Sequence, residues 1–197
     1  MLFFGHIGIT TGIVRTSDIF LSMSKAGGSD KKRSRLHHWL NRAKGWLGAI
    51  DYRMVILGSL LPDIIDKPVW FLAGGVTSLS GRDYAHTLLF NLVLLLGGLV
   101  LIRYGKSRLF IISLSSFMHL IFDQMWRVPV VLMWPLLGPL PKGETSVWVA
   151  NMLQGLFSSP GVYGFEIIGL MVMVLLAYGL VKRKSVINFL RDGTISE

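Results

Sequence analysis

The chain alternates long apolar runs with short stretches rich in basic residues. The longest apolar runs are Leu88–Tyr104, Leu109–Phe122 and Phe165–Val181. Met54–Gly74 is also mostly apolar but contains two prolines and three charged residues, and Met1–Val14 is shorter. Because proline removes a helical hydrogen bond, we expect the helix in Met54–Gly74 to be broken. The pattern predicts an all-α bundle of about five segments, one of them a broken helix.

Composition places these segments in a membrane. Of the 197 residues, 52% are hydrophobic and the mean hydropathy is +0.56, which is rare in soluble domains. We therefore expect one integral membrane domain over residues 1–197. The absence of cysteine excludes disulfides, zinc sites built from thiolates and cysteine nucleophiles.

The basic residues predict the topology. If five segments cross the membrane in alternation, sixteen of the twenty lysines and arginines fall on one side, which the positive-inside rule assigns to the cytoplasm. The C-terminus is then cytoplasmic and the protein is a multi-pass cell-membrane protein. The basic residues that do not fit this side are Lys67, Arg82, Arg127 and Lys142.

Two connecting segments have a character of their own. The cytoplasmic loop 24–50 is basic, and apolar residues recur at helical spacing from Leu36 to Ile50, which predicts an amphipathic helix on the anionic inner leaflet. Nucleic-acid binding by the same helix is the less favoured alternative. Segment 127–160 is expected outside the membrane, where its tryptophans form an interfacial belt or, as the alternative, a lid over a site.

Six polar side chains lie in or beside the apolar runs, where an unpaired carboxylate or imidazole is costly. From cytoplasmic markers and a rise of about 1.5 Å per residue, they share one layer between mid-membrane and the outer surface. All six are nitrogen or oxygen donors, which predicts a site for zinc or manganese, with one or two ions. The predicted ligands are His6, Asp63, Asp66, His86, His119 and Asp123.

Two pairs carry most of this prediction. Asp63 and Asp66 are spaced i, i+3 and share a helix face, so a cation between them would relieve their repulsion. The alternative is that Asp63 caps a restarted helix while Asp66 pairs with Lys67 or Arg82. His119 and Asp123 are spaced i, i+4, which aligns two ligands on one face. For these the alternative is a His–Asp hydrogen bond in a packed interior.

Three further residues are candidates for supporting roles. Arg82 precedes His86 by one turn and is the candidate for binding a phosphate, with an ion pair to Asp83 as the alternative. His6 is the weakest of the six ligand candidates, since a single interfacial histidine is often structural. Glu166 begins the last apolar run on the outer side, where it could be a ligand, a general base or simply a solvated end-of-helix residue.

These motifs together resemble a family of small membrane-bound metal-dependent hydrolases, the LexA-binding inner-membrane type. The resemblance extends from residue 1 to about Asp123 and implies metal binding and a hydrolase activity. A fainter similarity is to the all-helical zinc-dependent phospholipases C, which also hold metals with His and Asp. The residues that carry the family resemblance are His6-Ile-Gly8, Gly58-Ser-Leu-Leu-Pro-Asp-Ile-Ile-Asp66, Arg82-Asp-Tyr-Ala-His86-Thr87 and His119-Leu-Ile-Phe-Asp123.

The sequence therefore predicts a metal-dependent hydrolase of a phosphoester in a lipid or lipid-linked substrate, with Asp66 and His119 as catalytic residues. Metal-activated water is the expected nucleophile. Membrane lipids are the expected partners, and nucleic acid is not. The alternative is a non-enzymatic membrane protein, such as an ion or metal transporter that uses the same side chains.

Overall fold

The computed structural model describes residues 3–23, 49–72, 81–140 and 160–195, and every regular element in these ranges is helical. The predicted all-α class is confirmed for this part of the chain. A 3₁₀ turn at Met125–Arg127 follows the fourth helix. The helices are α1 (Phe3–Met23), α2 (Tyr52–Leu72), α3 (Leu88–Ile102), α4 (Arg108–Phe122), α5 (Pro129–Leu132), α6 (Pro160–Lys182) and α7 (Val186–Asp192).

Among these described helices, α6 is the one that is both long enough and apolar enough to cross a membrane. Its apolar side chains are mostly exposed, as expected of a helix that faces lipid. Helices α3 and α4 are apolar but shorter, at 15 residues each. Five membrane crossings remain a prediction.

Helix α2 differs from the sequence-based expectation, because it continues without a break through both Pro62 and Pro68. Proline removes one backbone donor, but the helix is held by its neighbours on either side, α1 and α4. The continuous helix places Asp63 and Asp66 on successive turns of one rigid element. The prediction of a broken helix is therefore wrong.

Glycines allow the helices to approach closely where the bundle is assembled. A Cβ atom on Gly58 of α2 would lie 2.5 Å from the carbonyl oxygen of Ile112 in α4. Helices α1 and α6 are in close contact at Gly8 and Gly169. A Cβ atom on either glycine would collide with the backbone of the opposite helix. Small residues at such contacts are the usual device for packing helices in membranes.

A polar clasp joins the start of α2 to the C-terminal segment. Tyr52 donates its backbone N–H to the carbonyl of Gly193, and the Arg53 guanidinium donates to the carbonyls of Leu190 and Arg191. Arg53 also binds the Asp51 carboxylate at 2.8 Å. The hydrogen bond from Arg53 lowers the pKa of Asp51 from its ordinary value and outweighs the effect of burial.

The chain after α4 folds back onto the end of that helix. Met125 and Val131 are buried against Leu120, and Trp134 makes an edge-on contact with Tyr84 at 5.4 Å between ring centroids. The first part of the predicted outer segment 127–160 is therefore packed over this end of the bundle. Residues 141–159, and most of the predicted amphipathic helix in 24–50, lie outside the described residues.

Candidate metal centre

The carboxylate of Asp66 organises the segment between α2 and α3. It is almost fully buried and accepts hydrogen bonds from the backbone N–H groups of Asp83 at 2.8 Å, Ala85 at 3.0 Å and His86 at 3.2 Å. Backbone donors in this number stabilise an ionised carboxylate. Asp66 therefore fixes the backbone that carries His86.

The same carboxylate fixes the orientation of the His86 ring. Oδ2 of Asp66 lies 2.7 Å from Nδ1 of His86. Because an ionised carboxylate can only accept, Nδ1 carries the proton and donates it. In the neutral ring, Nε2 then presents a lone pair on the opposite side.

His119 in α4 is fixed in the same way by a different acceptor. Its ring is fully buried, and Nδ1 lies 2.8 Å from the backbone carbonyl oxygen of Ser59 in α2. A carbonyl oxygen only accepts hydrogen bonds, so Nδ1 is again the protonated nitrogen. Nε2 of His119 is left as a lone pair, as is Nε2 of His86.

These two lone pairs and one carboxylate oxygen face the same point. The Nε2 atoms of His86 and His119 are 3.3 Å apart, and Oδ1 of Asp63 lies 3.6 Å and 3.9 Å from them. The other oxygen of Asp63 accepts from Lys67 at 2.6 Å. When both rings are neutral, these three atoms are all acceptors, and a cation among them relieves their mutual repulsion.

The spacing of this group fits a divalent transition metal. Zinc–nitrogen bonds of about 2.0–2.1 Å in a tetrahedral arrangement place two ligand atoms about 3.3 Å apart. The two imidazole nitrogens have this separation, and the carboxylate oxygen is a few tenths of an ångström further away. Two imidazoles and one carboxylate also form the donor set found in many catalytic zinc sites.

A second polar group adjoins the first. Nε2 of His6 lies 3.1 Å from Oδ1 of Asp123, and Arg82 binds the other oxygen of Asp123 at 2.9 Å. The His6 ring stacks on His119 with centroids 3.9 Å apart. His6, His119 and Asp123 are thus also close enough to hold an ion. Both groups would use His119, which has only Nε2 to offer because Nδ1 is bound to Ser59.

The structure brings all six predicted ligands into one cluster, but they differ in whether their donor atoms face a common point. Asp63, His86 and His119 direct donor atoms at one point, and Asp66 lies behind His86 with its oxygens already engaged. The contacts that form differ in their partners from the alternatives considered for the two pairs. Asp63, rather than Asp66, pairs with Lys67, and Asp123 bonds to His6 and Arg82 rather than to the side chain of His119.

Glu166 lies outside this cluster. Its carboxylate accepts from the backbone N–H groups of Phe4 and Gly5 at 2.9 and 3.1 Å, at the first turn of α1. It satisfies donors that the start of a helix leaves free, and its charge suits the positive end of the helix dipole. Since the next residue is His6, this contact helps to place the N-terminal histidine.

Sequence reasoning missed two residues that support the centre. Ser59 contributes a backbone carbonyl, which no side-chain pattern could reveal. Asn91 is buried in α3, donates to the carbonyls of Ala85 and Thr87, and accepts from Ser116 of α4 at 2.7 Å. Asn91 is the one polar side chain in the sequence of α3, and a single polar residue in an apolar helix could have indicated its supporting role.

Comparison with known proteins identifies a family. No curated protein and no solved structure is significantly similar to this chain. A family model described as YdjM inner membrane protein matches residues 1–186, which is almost the whole chain. Together with the apolar helix α6, the match supports location in a membrane. The chain belongs to the YdjM inner membrane protein family.

Proposed function

We propose that this protein binds one divalent cation, zinc or else manganese, on Asp63, His86 and His119, and uses it to hydrolyse a phosphoester. The observation that carries the proposal is the convergence of Nε2 of His86, Nε2 of His119 and Oδ1 of Asp63, because each ring binds another acceptor through Nδ1 and, when neutral, offers Nε2 as a lone pair. A single ion is favoured over two because His119 has one ring nitrogen left to bind an ion. Three protein ligands leave a fourth position for water.

In this proposal Asp66 and the Ser59 carbonyl orient the two histidines and do not touch the ion. Such partners set the tautomer of each ring and raise its basicity, so they contribute to affinity without ligation. Asp66 therefore acts through His86, whereas the sequence alone suggested that Asp66 is itself a ligand and catalytic.

The surroundings suit an anionic substrate. When bound, a divalent metal lowers the pKa of its water and polarises the phosphoryl oxygen. The formal charges of Asp63, Asp66, Asp123, Lys67 and Arg82 sum to −1, so a dication bound among these five side chains raises their sum to +1. Arg82 is half-exposed, and buried Asp123 holds its guanidinium at the rim, where the planar group can also bind phosphate.

We further propose that α1, α2, α3, α4 and α6 all cross the membrane, with the centre toward the outer face and the substrate in a lipid or lipid-linked molecule. Because the chain has no cysteine, single cysteines report topology cleanly. Exposed Arg127 and Lys184 lie on opposite sides in this topology. In spheroplasts, a membrane-impermeant maleimide should label Arg127→Cys and not Lys184→Cys until the membrane is opened. Equal labelling of both would contradict it.

The function is tested with protein purified in a mild detergent. Metal is measured by mass spectrometry, and activity on bis-p-nitrophenyl phosphate, p-nitrophenyl phosphate and phosphatidylglycerol vesicles is measured with zinc or manganese. We expect about one ion per chain and turnover of at least one ester that His119→Ala abolishes. Asp192→Asn, which removes an exposed carboxylate far along the chain, serves as the control.

Two results would contradict parts of this proposal. Absence of metal in the wild type, even after incubation with zinc, would overturn the binding site. Stoichiometric metal without turnover of any ester would instead favour the non-enzymatic alternative, in which the same residues bind an ion without catalysis.

A further inference from the structure

A mainly apolar groove, lined by none of the six predicted ligands, carries an inference independent of the metal centre. It lies between α1 and α6 and has a volume of about 690 Å³. Its walls are mainly apolar side chains from both helices, including Ile13, Val172 and Leu175. On α6 the lining residues begin at Ile168 and follow at helical spacing, with Leu175 and Leu176 adjacent, and Arg183 just after the helix continues the spacing, so they form one continuous stripe.

The groove has a basic end. Arg15 of α1 and Arg183 just after α6 both line it, together with the hydroxyl residues Thr16 and Ser17. Arg15 donates to the Ile195 carbonyl and lies 3.9 Å from Asp18. Among the described residues that line or adjoin this end, Arg15 and Arg183 outnumber the Asp18 carboxylate by one formal charge, and in the proposed topology it is the cytoplasmic end.

The groove is longer than one leaflet of a bilayer is thick. From Ile168 to Arg183 the helix rises about 22 Å at 1.5 Å per residue. One leaflet contributes about half of a hydrocarbon core roughly 30 Å thick. An acyl chain that starts at the arginines would therefore be covered by the apolar stripe through the whole inner leaflet.

We propose that this groove binds an anionic phospholipid of the inner leaflet, with its phosphate at Arg15 and Arg183 and an acyl chain between α1 and α6. The charge at one end selects an anionic headgroup, since arginine binds phosphate oxygens with paired N–H donors. The apolar stripe selects a lipid over free phosphate. Neither feature touches the residues of the metal centre.

Gly179 provides a sharp test because it lines the groove and a Cβ atom added there meets nothing within 4 Å. Gly179→Leu should therefore fill the groove without distorting the helix. Ala177→Leu makes a similar change at the same depth, at an exposed position outside the groove lining. Arg15→Gln with Arg183→Gln tests the headgroup end.

The measurement is native mass spectrometry of the detergent-purified full chain, before and after exchange into phosphatidylglycerol or phosphatidylcholine. We expect one retained phosphatidylglycerol on the wild type and on Ala177→Leu, and at least a tenfold loss on Gly179→Leu. The double arginine variant should lose its preference for phosphatidylglycerol over phosphatidylcholine. Equal retention by Gly179→Leu and Ala177→Leu, or no headgroup preference in the wild type, would overturn the proposal.

Discussion

Nε2 of His86 and Nε2 of His119 lie 3.3 Å apart, although each ring already uses its Nδ1–H to bind a different acceptor. The Asp66 carboxylate fixes one ring and the Ser59 carbonyl fixes the other. The tautomers are thus determined by the neighbours, and both unshared electron pairs point inward. A cation between the rings would be bound by both electron pairs at once.

Loss of either facing histidine should abolish metal binding. Replacing His86 or His119 by alanine removes one of three ligands and leaves the others too few to hold an ion in competition with water. We expect bound zinc to fall from about one per chain to the background level, measured by inductively coupled plasma mass spectrometry. Asp192→Asn should keep the wild-type content. Full zinc content in His86→Ala would show that the ion binds elsewhere.

Asp66→Asn should weaken metal binding without abolishing it. The amide cannot accept hydrogen bonds at both positions, so the His86 ring loses its fixed tautomer while all three proposed ligands remain. Loss of such an orienting partner typically costs about 10–100-fold in affinity. Competition with a zinc chelator measures the affinity, and a melting curve of the metal-free protein separates it from misfolding. If binding is lost as completely as in His119→Ala with the fold intact, Asp66 is itself a ligand.

Gly58→Ala should destabilise the bundle. The new methyl carbon would lie only 2.8 Å from the Cβ atom of Ser115 and would also meet the backbone of Ile112. Overpacking of this kind costs about 1–3 kcal/mol. Because the same contact joins the helices that carry Asp63 and His119, metal affinity should fall as well. The melting temperature in detergent measures the effect, and Gly164→Ala, with open space around it, should be neutral or slightly stabilising.

The clasp at the start of α2 should depend on pH through Asp51. Its folded-state pKa is lowered by Arg53, so its contribution to stability is fully present above the ordinary carboxyl pKa of 3.8 and is lost as the pH falls below that value. Asp51→Asn should therefore lower the melting temperature near pH 7. The difference from the wild type should shrink as the pH is lowered below about 4. A difference that stays constant over this range would mean that the charge of Asp51 does not stabilise the clasp.

The sequence by itself determined the helical class, the membrane setting and the identity of the polar cluster. Apolar runs of helical length are typical of segments surrounded by lipid. A titratable side chain inside such a run costs free energy unless it is paired, so its presence indicates a function. For this reason His6, Asp63, Asp66, His86, His119 and Asp123 could all be chosen before their contacts were known. The i, i+3 and i, i+4 spacings correctly placed each pair on neighbouring turns.

The tertiary structure alone decided which of these side chains face one another. Asp63 and Asp66 look equivalent in sequence. In the structure, the Asp66 carboxylate accepts from three backbone N–H groups in the segment before α3, whereas Asp63 faces the two imidazoles. The Ser59 carbonyl that orients His119 belongs to the main chain and leaves no mark in the sequence. Hydrogen bonds between helices depend on the distance and rotation of their axes, and these are set by the close glycine contacts of the assembled bundle rather than by the spacing of residues along any one helix.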